Sequence, residues 1–367
     1  MGHRVTTRQP DISALLDDTD VLVCCGSGGV GKTTTAAAAV GLHAARIGRK
    51  VVVVTIDPAK RLADALGVPG GLRNDPVHLP IDEGCEGELW ALMLDPATTF
   101  DGLVRANASS AEQTERILSN RFYRNVAGSL SGTQEYMAAE RLHALHGDPR
   151  FDLVVVDTPP TRNALDFLDA PSTLSRFLDH PLFRLIMVPT RRGLRVLNVA
   201  SQPVLRTIGK AVGSDVLADA IAFFQAFAGM ETGFRARADE VIALLHGEST
   251  RYLLVASPRG DTIEEARYFA RRLREKDLAV RAVVVNRCTP DFGAPPSRRP
   301  KSAAGSELYD NLRELRATAK IEREHAAVLL GDDAIGPDAA TRFVPALPGD
   351  VHDLEALEAI RTALFGE

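Results

Sequence analysis

The sequence has few cysteines and lacks the C-x-x-C spacing of common metal sites. Its four cysteines are Cys24, Cys25, Cys85 and Cys288. Cys24 and Cys25 are adjacent in a predicted strand, and because neighbouring strand residues point to opposite faces, they cannot chelate one ion together. We therefore predict that these two cysteines pack in the core.

A long apolar run is also missing. No apolar segment approaches the roughly 18 residues of a membrane-spanning helix. Residues 1–10 contain no apolar core of a signal peptide. These absences predict a cytoplasmic protein whose contact with any membrane is peripheral.

Positive charge is not in excess. The formal net charge is −5 at pH 7, which argues against nucleic acid as a bulk electrostatic partner. The chain has 367 residues, of which 45% are hydrophobic, so it has ample material for a buried core. We predict a globular protein that does not bind nucleic acid.

One glycine-rich segment carries a strong functional signal. Gly26–Thr33 has the sequence GSGGVGKT and matches the phosphate-loop pattern G-x-x-x-x-G-K-[ST]. The apolar run Val21–Cys25 precedes it, and an alanine-rich helical stretch follows it, so the loop lies between a strand and a helix N-terminus. An ordinary strand-to-helix turn is the alternative. The residues predicted to bind ATP are Gly28, Gly29, Val30, Gly31, Lys32, Thr33 and Thr34. Lys32 neutralises phosphate charge, and the Thr33 hydroxyl is a ligand for Mg²⁺.

Two carboxylates follow apolar runs that resemble buried parallel strands. Val51–Val54 is continuous and β-branched, and its strand leads to Asp57, which is predicted to orient the attacking water. The alternative role of Asp57 is to cap the next helix. Leu153–Val156 leads to Asp157, which is predicted to bind the metal beside the phosphate loop. The catalytic candidates are therefore Lys32 and Asp57, and the metal ligands are Thr33 and Asp157.

The alternation of strands and helices predicts an α/β fold. We expect a doubly wound, mostly parallel sheet with a P-loop NTPase core in a single domain, 1–367. Segments 98–147 and 171–247 have helical periodicity and are predicted to form an α-helical insertion subdomain. Segment 66–88 is predicted to be irregular. Segment 289–306 is rich in Pro, Gly, Ser and Arg and is predicted to be a flexible loop.

Two features of the helical segments suggest different roles. Pro181–Ser214 contains six basic and no acidic residues among apolar ones, which suits either an acidic membrane surface or partner or an ordinary solvated face. Ile221, Phe223, Phe224, Phe227 and Met230 form an aromatic stripe, which is predicted to be core rather than a ligand groove.

These motifs resemble the arsenical pump-driving ATPase family, which includes the cytosolic ATPases that deliver tail-anchored proteins to membranes. The family's loop G-K-G-G-V-G-K-[ST] differs from this one only at Ser27. Its first switch, D-P-A-H-x-L-x-D-x-x-G, is matched from Asp57 to Gly67 except at Lys60. Its second switch, D-T-A-P-T-G-H-T-L, is similar to Asp157–Leu165. The resemblance implies that Asn286 recognises the adenine amino group and that Pro345, with the residues up to Pro348, flanks the base.

Three departures limit what the resemblance implies. Ser27 replaces a lysine that reaches the nucleotide of the partner subunit. The zinc-binding C-x-x-C and the arsenite-binding cysteines are missing. A zinc-bridged homodimer and arsenite as effector are therefore disfavoured, although Lys60 or Arg61 offers a replacement for the charge missing at Ser27.

The resemblance implies a Mg²⁺-dependent ATPase. Its two switches, 57–64 and 157–165, would move the helical subdomain against a membrane-related partner, in anion transport or membrane-protein targeting. One alternative is a weakly hydrolysing subunit of a heterodimer with a lysine-bearing relative, and we expect a dimer of this kind rather than a homodimer. The other is a MinD-like membrane-positioning ATPase, which the acidic segment Val351–Glu367 disfavours.

Overall fold

An eight-stranded sheet organises the protein in this computed structural model, which describes residues 12–57, 61–81, 85–126, 133–159, 165–179 and 214–366. The strands are β1 Val21–Gly26, β2 Lys50–Thr55, β3 Val77–Leu79, β4 Glu88–Met93, β5 Leu153–Asp157, β6 Thr250–Ala256, β7 Val280–Cys288 and β8 Ala340–Pro345. Their order across the sheet is β3-β4-β2-β5-β1-β6-β7-β8. Only the β3–β4 pair is antiparallel among these strands.

The apolar runs of the sequence become the central strands. Val51, Val52 and Val53 are fully buried, and Val54 is 3% exposed. Side chains on both faces of β2 are therefore covered, as expected for a strand inside a parallel sheet. The predicted α/β fold with a mostly parallel sheet is confirmed.

The edge strand β3 was not expected from the sequence. It lies inside segment 66–88, which the sequence analysis takes as irregular, and that prediction is wrong over Val77–Leu79. The strand has only three residues, and its pairing with β4 is a tertiary contact that local composition does not encode.

Twelve α-helices and one short 3-10 helix, Ile12–Leu15, accompany the sheet in the described part of the chain. Helix α1 begins as a π-helical stretch, Lys32–Ala38, and continues as an α-helix, Ala39–Arg46. The others are α2 Arg61–Ala65, α3 Pro96–Asn107, α4 Ala111–Leu118, α5 Arg121–Val126, α6 Thr133–His146, α7 Asp166–Asp179, α8 Ser214–Ala226, α9 Glu231–Leu245, α10 Gly260–Arg274, α11 Ala303–Leu330 and α12 Leu354–Phe365. None of the described helices is long and apolar enough to cross a membrane.

Two helices begin earlier than the sequence suggests. Helix α7 starts at Asp166 and contains Pro171, where the helical segment was predicted to begin. Helix α11 starts at Ala303, so the predicted loop 289–306 is wrong over its last four residues. The Ser302 hydroxyl accepts a hydrogen bond from the Gly305 N–H at 3.2 Å, and this N-cap starts the helix.

The chain divides into two compact units. The first comprises Met1–Met93, Asp148–Leu165 and Glu248–Glu367 and contains the sheet. The second comprises Leu94–Gly147 and Asp166–Gly247. Its core includes Phe223, Phe227 and Met230, which are at most 9% exposed, so the predicted assignment of the aromatic stripe to core is confirmed for these three. The basic stretch Pro181–Ser214 lies outside the described residues apart from the first residue of α8.

A partly buried cluster of one carboxylate and two arginines links helices α10 and α11 in the first unit. Asp332 follows α11, and its carboxylate accepts hydrogen bonds from Arg267 Nε at 2.9 Å, Arg271 Nη2 at 2.8 Å and the Ala334 N–H at 3.1 Å. Burial of this side chain raises its pKa, but the Ala334 N–H and the two guanidinium groups outweigh that effect and lower the pKa of Asp332 to about 2.

Asp332→Asn is expected to destabilise the first unit by about 1–2 kcal/mol at pH 7, less than a fully buried pair because Arg271 is half exposed. In the unfolded chain the Asp332 carboxyl has a pKa of about 3.9, above its value in the folded protein. As the pH falls, the unfolded chain therefore takes up a proton before the folded protein does. The contribution is therefore complete above about pH 4 and is lost towards pH 2. Urea unfolding at several pH values measures this difference. Asp333→Asn is the control, and an unchanged gap between wild type and Asp332→Asn from pH 7 to pH 2 would contradict the assignment.

Candidate active site

The carboxyl ends of five parallel strands meet at one edge of the sheet. The phosphate loop follows β1, Asp57 follows β2, and Asp157 ends β5. Asn286 lies near the end of β7, and Pro345 ends β8. In an open α/β sheet this edge is where ligands bind.

The backbone of the loop depends on glycine at two positions. Gly31 has φ of 80°, in the left-handed region, and a Cβ there would lie 2.5 Å from Asn286 Nδ2. Gly26 approaches β6 so closely that its Cβ would lie 2.2 Å from the Val255 carbonyl oxygen. A side chain at either position would therefore displace the loop.

A cavity of about 560 Å³ lies beside the loop in the first unit. Its lining includes seven of the residues predicted to bind nucleotide: Gly29, Gly31, Lys32, Thr33, Thr34, Asn286 and Pro345. Gly28 and Val30 are not part of this lining; Gly28 is exposed and Val30 is buried. The cavity also has Arg61 and Arg287 in its wall, so cations surround the phosphate loop from two further segments.

Asp157 is tied to the phosphate loop. It is fully buried, and its Oδ2 accepts hydrogen bonds from Thr33 Oγ1 at 2.7 Å and Thr55 Oγ1 at 3.0 Å. Burial raises the pKa of Asp157, while the positive charge of Lys32 and the two hydroxyl groups oppose this rise. Lys32 itself is only 5% exposed.

The other oxygen of Asp157 suits a cation. Within the described part of the chain, Oδ1 has no hydrogen-bond partner although it is buried. A buried carboxylate oxygen without a partner is costly, and a nearby metal ion would remove that cost. Hydroxyl and carboxylate oxygens are ligands that Mg²⁺ accepts, so Thr33 and Asp157 fit the predicted metal site.

Asp57 is held by a threonine and an arginine. It is 7% exposed, its backbone N–H donates to Thr55 Oγ1 at 3.2 Å, and its Oδ2 lies 3.3 Å from Arg61 Nη1. Thr55 Oγ1 thus contacts the Asp157 carboxylate and the Asp57 backbone. Thr55 belongs to no recognisable motif, and its position at the end of β2 is the only signal for it in the sequence.

Asn286 contacts the phosphate loop directly. It is 5% exposed, and its Nδ2 donates to the Val30 carbonyl and to Thr35 Oγ1, both at 2.8 Å. Its Oδ1 accepts the backbone N–H of Arg287 at 2.8 Å. Both ends of the amide are therefore engaged with protein groups, and its role in adenine recognition stays a prediction.

Ser27, Cys24 and Cys25 lie in the interior, whereas Cys85 and Cys288 are partly exposed. Ser27 is 3% exposed, and its Oγ has no partner among the described residues. Cys24 and Cys25 are fully buried in β1, which confirms that they are core residues, and burial raises the pKa of Cys25 to about 12. Lys60 and the second-switch residues 160–164 lie outside the described residues.

Comparison with known proteins agrees with these motifs. The sequence pattern of a family described as anion-transporting ATPase matches residues 19–297. The ATPase ASNA1 homolog of Trypanosoma cruzi is 26% identical over 355 residues, covering 91% of this chain and 87% of the relative. The putative arsenical pump-driving ATPase 1 of Aquifex aeolicus is 24% identical over 348 residues, covering 95% and 79%. The ATPase GET3 of Malassezia globosa is 29% identical over 171 residues, covering 46% and 48%.

Proposed function

Because the chain belongs to the anion-transporting ATPase family, and is therefore an ATPase, we propose that its activity requires Mg²⁺ and drives movement of two switch segments, 57–64 and 157–165. The observation that carries this proposal is the hydrogen bond from Thr33 Oγ1 to Asp157 Oδ2 at 2.7 Å. This hydrogen bond joins the phosphate loop to the first residue of the second switch. A change in the bound phosphates would therefore alter the hydrogen bonding of Asp157, at the start of that segment.

Each residue has a defined task in the proposed reaction. Lys32 and the loop N–H groups bind the phosphate oxygens and stabilise the charge that develops on them. Thr33 and Asp157 hold Mg²⁺, which when bound neutralises phosphate charge. Asp57 accepts a hydrogen bond from the attacking water and orients it, and the ion pair with Arg61 fixes the position of its carboxylate.

We propose that ATP hydrolysis by this chain serves a membrane-related partner. The resemblance suggests anion transport or membrane-protein targeting, and this part of the proposal rests on analogy alone. We also propose a cytoplasmic location and a dimer. Segments 98–147 and 171–247 are proposed to form the moving subdomain, with Pro181–Ser214 as its contact with an acidic surface.

A steady-state assay of the purified chain tests the proposal. ATP hydrolysis with Mg²⁺ that is lost with excess EDTA and restored by added Mg²⁺ is the expected result. Binding of ATP by calorimetry gives an independent measurement. A chain that neither binds nor hydrolyses ATP in the presence of Mg²⁺, alone or with candidate partners, would overturn it.

The buried Ser27 favours a second candidate, a subunit that hydrolyses little ATP until it pairs with a lysine-bearing relative. The Ser27 hydroxyl is neutral, and the residue is 3% exposed within its own chain. It is too short to reach a nucleotide in a partner subunit. Since a cation supplied in this way is worth about 10³ to 10⁵ in rate where it has been measured, a homodimer of this chain is expected to be slow.

Ser27→Lys is therefore expected to raise the ATPase rate of the isolated chain by about tenfold or more. This is part of the full effect of a cation supplied by a partner subunit. Ser27→Ala is the matched control, because it removes the hydroxyl without adding charge and is expected to leave the rate unchanged. Size-exclusion chromatography with and without ATP shows whether the gain accompanies dimer formation. A fast wild-type homodimer with no gain in Ser27→Lys would instead indicate Arg61 or Lys60 as the cation.

A further inference from the structure

Two consecutive residues of β7 hold two consecutive carbonyl groups of the phosphate loop. Arg287 Nη1 donates to the Gly29 carbonyl oxygen at 2.7 Å. Asn286 Nδ2 donates to the Val30 carbonyl oxygen at 2.8 Å. Asn286 also bonds Thr35 Oγ1 at 2.8 Å, so it contacts the start of α1 as well as the loop.

These contacts determine which way two amide groups of the loop point. The peptide bonds are trans among the described residues, and in a trans peptide the N–H is opposite the C=O of the preceding residue. Holding the Gly29 carbonyl on the β7 side therefore turns the Val30 N–H away from β7. Holding the Val30 carbonyl does the same for the Gly31 N–H. Both N–H groups are among those that the phosphate-loop pattern assigns to phosphate oxygens.

Arg287 has an unusual backbone conformation for its type. Its φ is 63°, in the left-handed region that glycine adopts without strain. The Asn286 side chain accepts the Arg287 N–H at 2.8 Å and so stabilises this turn. A strained residue at a ligand cavity is a reason to look for a function of its side chain.

We propose that Asn286 and Arg287 are a positioning pair that holds the phosphate loop in its binding conformation, so that Arg287 determines affinity for the phosphate chain whatever base is attached. The inference rests on the proposed function, in which this loop binds ATP. Arg287 acts through the Gly29 carbonyl and is a positioning residue rather than a catalytic one. Asn286 then holds the loop through a hydrogen bond from its amide nitrogen, and it stabilises the Arg287 turn by accepting a hydrogen bond with its amide oxygen.

Arg287→Gly is the decisive variant, because glycine keeps the backbone conformation and removes only the side chain. Calorimetry with Mg²⁺ would measure dissociation constants for ATP and for inorganic tripolyphosphate. We expect both affinities to fall by about tenfold to a hundredfold, the usual effect of losing a hydrogen bond from a charged donor. The thermal melting temperature should not fall, since the variant relieves a strained backbone.

Two further measurements separate positioning from a general structural effect. Arg287→Lys should retain part of the affinity, because an ammonium group also donates to a carbonyl. Methylguanidinium added at millimolar concentration should restore part of the tripolyphosphate affinity of Arg287→Gly. Asp277→Gly is the matched control: its φ of 59° gives the same relief of strain, and Asp277 lies in the turn before β7, so its ligand affinities should match wild type.

The outcomes are distinguishable. If wild type binds both ligands and Arg287→Gly weakens ATP alone, the side chain recognises the nucleoside and the positioning role is wrong. If Arg287→Gly binds both ligands as wild type does, the pair has no effect on the loop and the proposal is overturned. If wild type binds neither ligand, the proposed function fails, and the inference fails with it.

Discussion

Lys32→Ala is expected to abolish tight ATP binding and to reduce affinity by at least about a thousandfold. Lys32 is 5% exposed and lines the cavity with the glycines of the phosphate loop. In a water-poor site a cation that faces phosphate is worth several kcal/mol, on the order of a charge-assisted hydrogen bond strengthened by low dielectric. The variant also leaves Asp157 without the charge that opposes the rise in its pKa, so the proposed metal site should weaken too.

Calorimetric titration with ATP and Mg²⁺ measures this effect. Lys50→Ala is the control, since Lys50 begins β2 at the opposite edge of the sheet and its side chain is half exposed. It removes the same charge and should leave ATP affinity unchanged. Circular dichroism would verify that Lys32→Ala is folded. A folded Lys32→Ala with wild-type affinity would contradict the phosphate-loop assignment.

Continuous apolar segments explain why the sheet could be predicted from the sequence. Strands such as Val51–Val54 carry apolar side chains on both faces, and that pattern is hard to satisfy outside a parallel sheet. The short strand β3 and the first turn of α11 escaped prediction for different reasons. The first depends on pairing with β4, and the second depends on a single capping serine within a segment rich in Pro and Gly.

The site also contains residues that a local sequence pattern identifies and residues that only the fold identifies. Gly31 and Lys32 were identifiable because a phosphate loop is a local pattern with fixed spacing. Thr55 and Arg287 were not, because their roles arise from neighbours that are distant in the sequence. The strand order places β5 between β1 and β2, which puts Thr55 in register with Asp157. No pattern in the chain around Thr55 encodes that neighbour.

The network around Thr55 suggests how the two switches are linked. Its hydroxyl donates to Asp157 and accepts the backbone N–H of Asp57, so a single side chain contacts the first residue of both segments. A shift of Asp157 at the proposed metal site would therefore disturb the Thr55 hydroxyl, which also bonds the Asp57 backbone. Under the proposed function, the two switch segments would then respond to the phosphates together rather than independently.

Asp57→Asn is expected to leave ATP affinity near normal and to lower turnover by a hundredfold or more, which corresponds to at least about 2.7 kcal/mol of transition-state stabilisation. Asparagine has the same shape and keeps the backbone N–H that bonds Thr55. It loses the negative charge that pairs with Arg61 and that, in the proposed mechanism, orients the attacking water. Positioning of water matters mostly in the transition state, so kcat should fall while binding persists.

This variant also separates catalysis from the alternative role as a helix cap. Asparagine caps helices as well as aspartate does, so a capping Asp57 would tolerate the change with little loss of turnover or stability. Single-turnover hydrolysis and calorimetry on the same preparation give the rate and the affinity independently. Asp338→Asn is the control for a lost surface charge. Asp338 precedes the amino end of β8, whereas the candidate site lies at the carboxyl ends of the strands. Equal losses of affinity and turnover, or no loss at all, would mark Asp57 as structural and leave the orientation of the attacking water to another group.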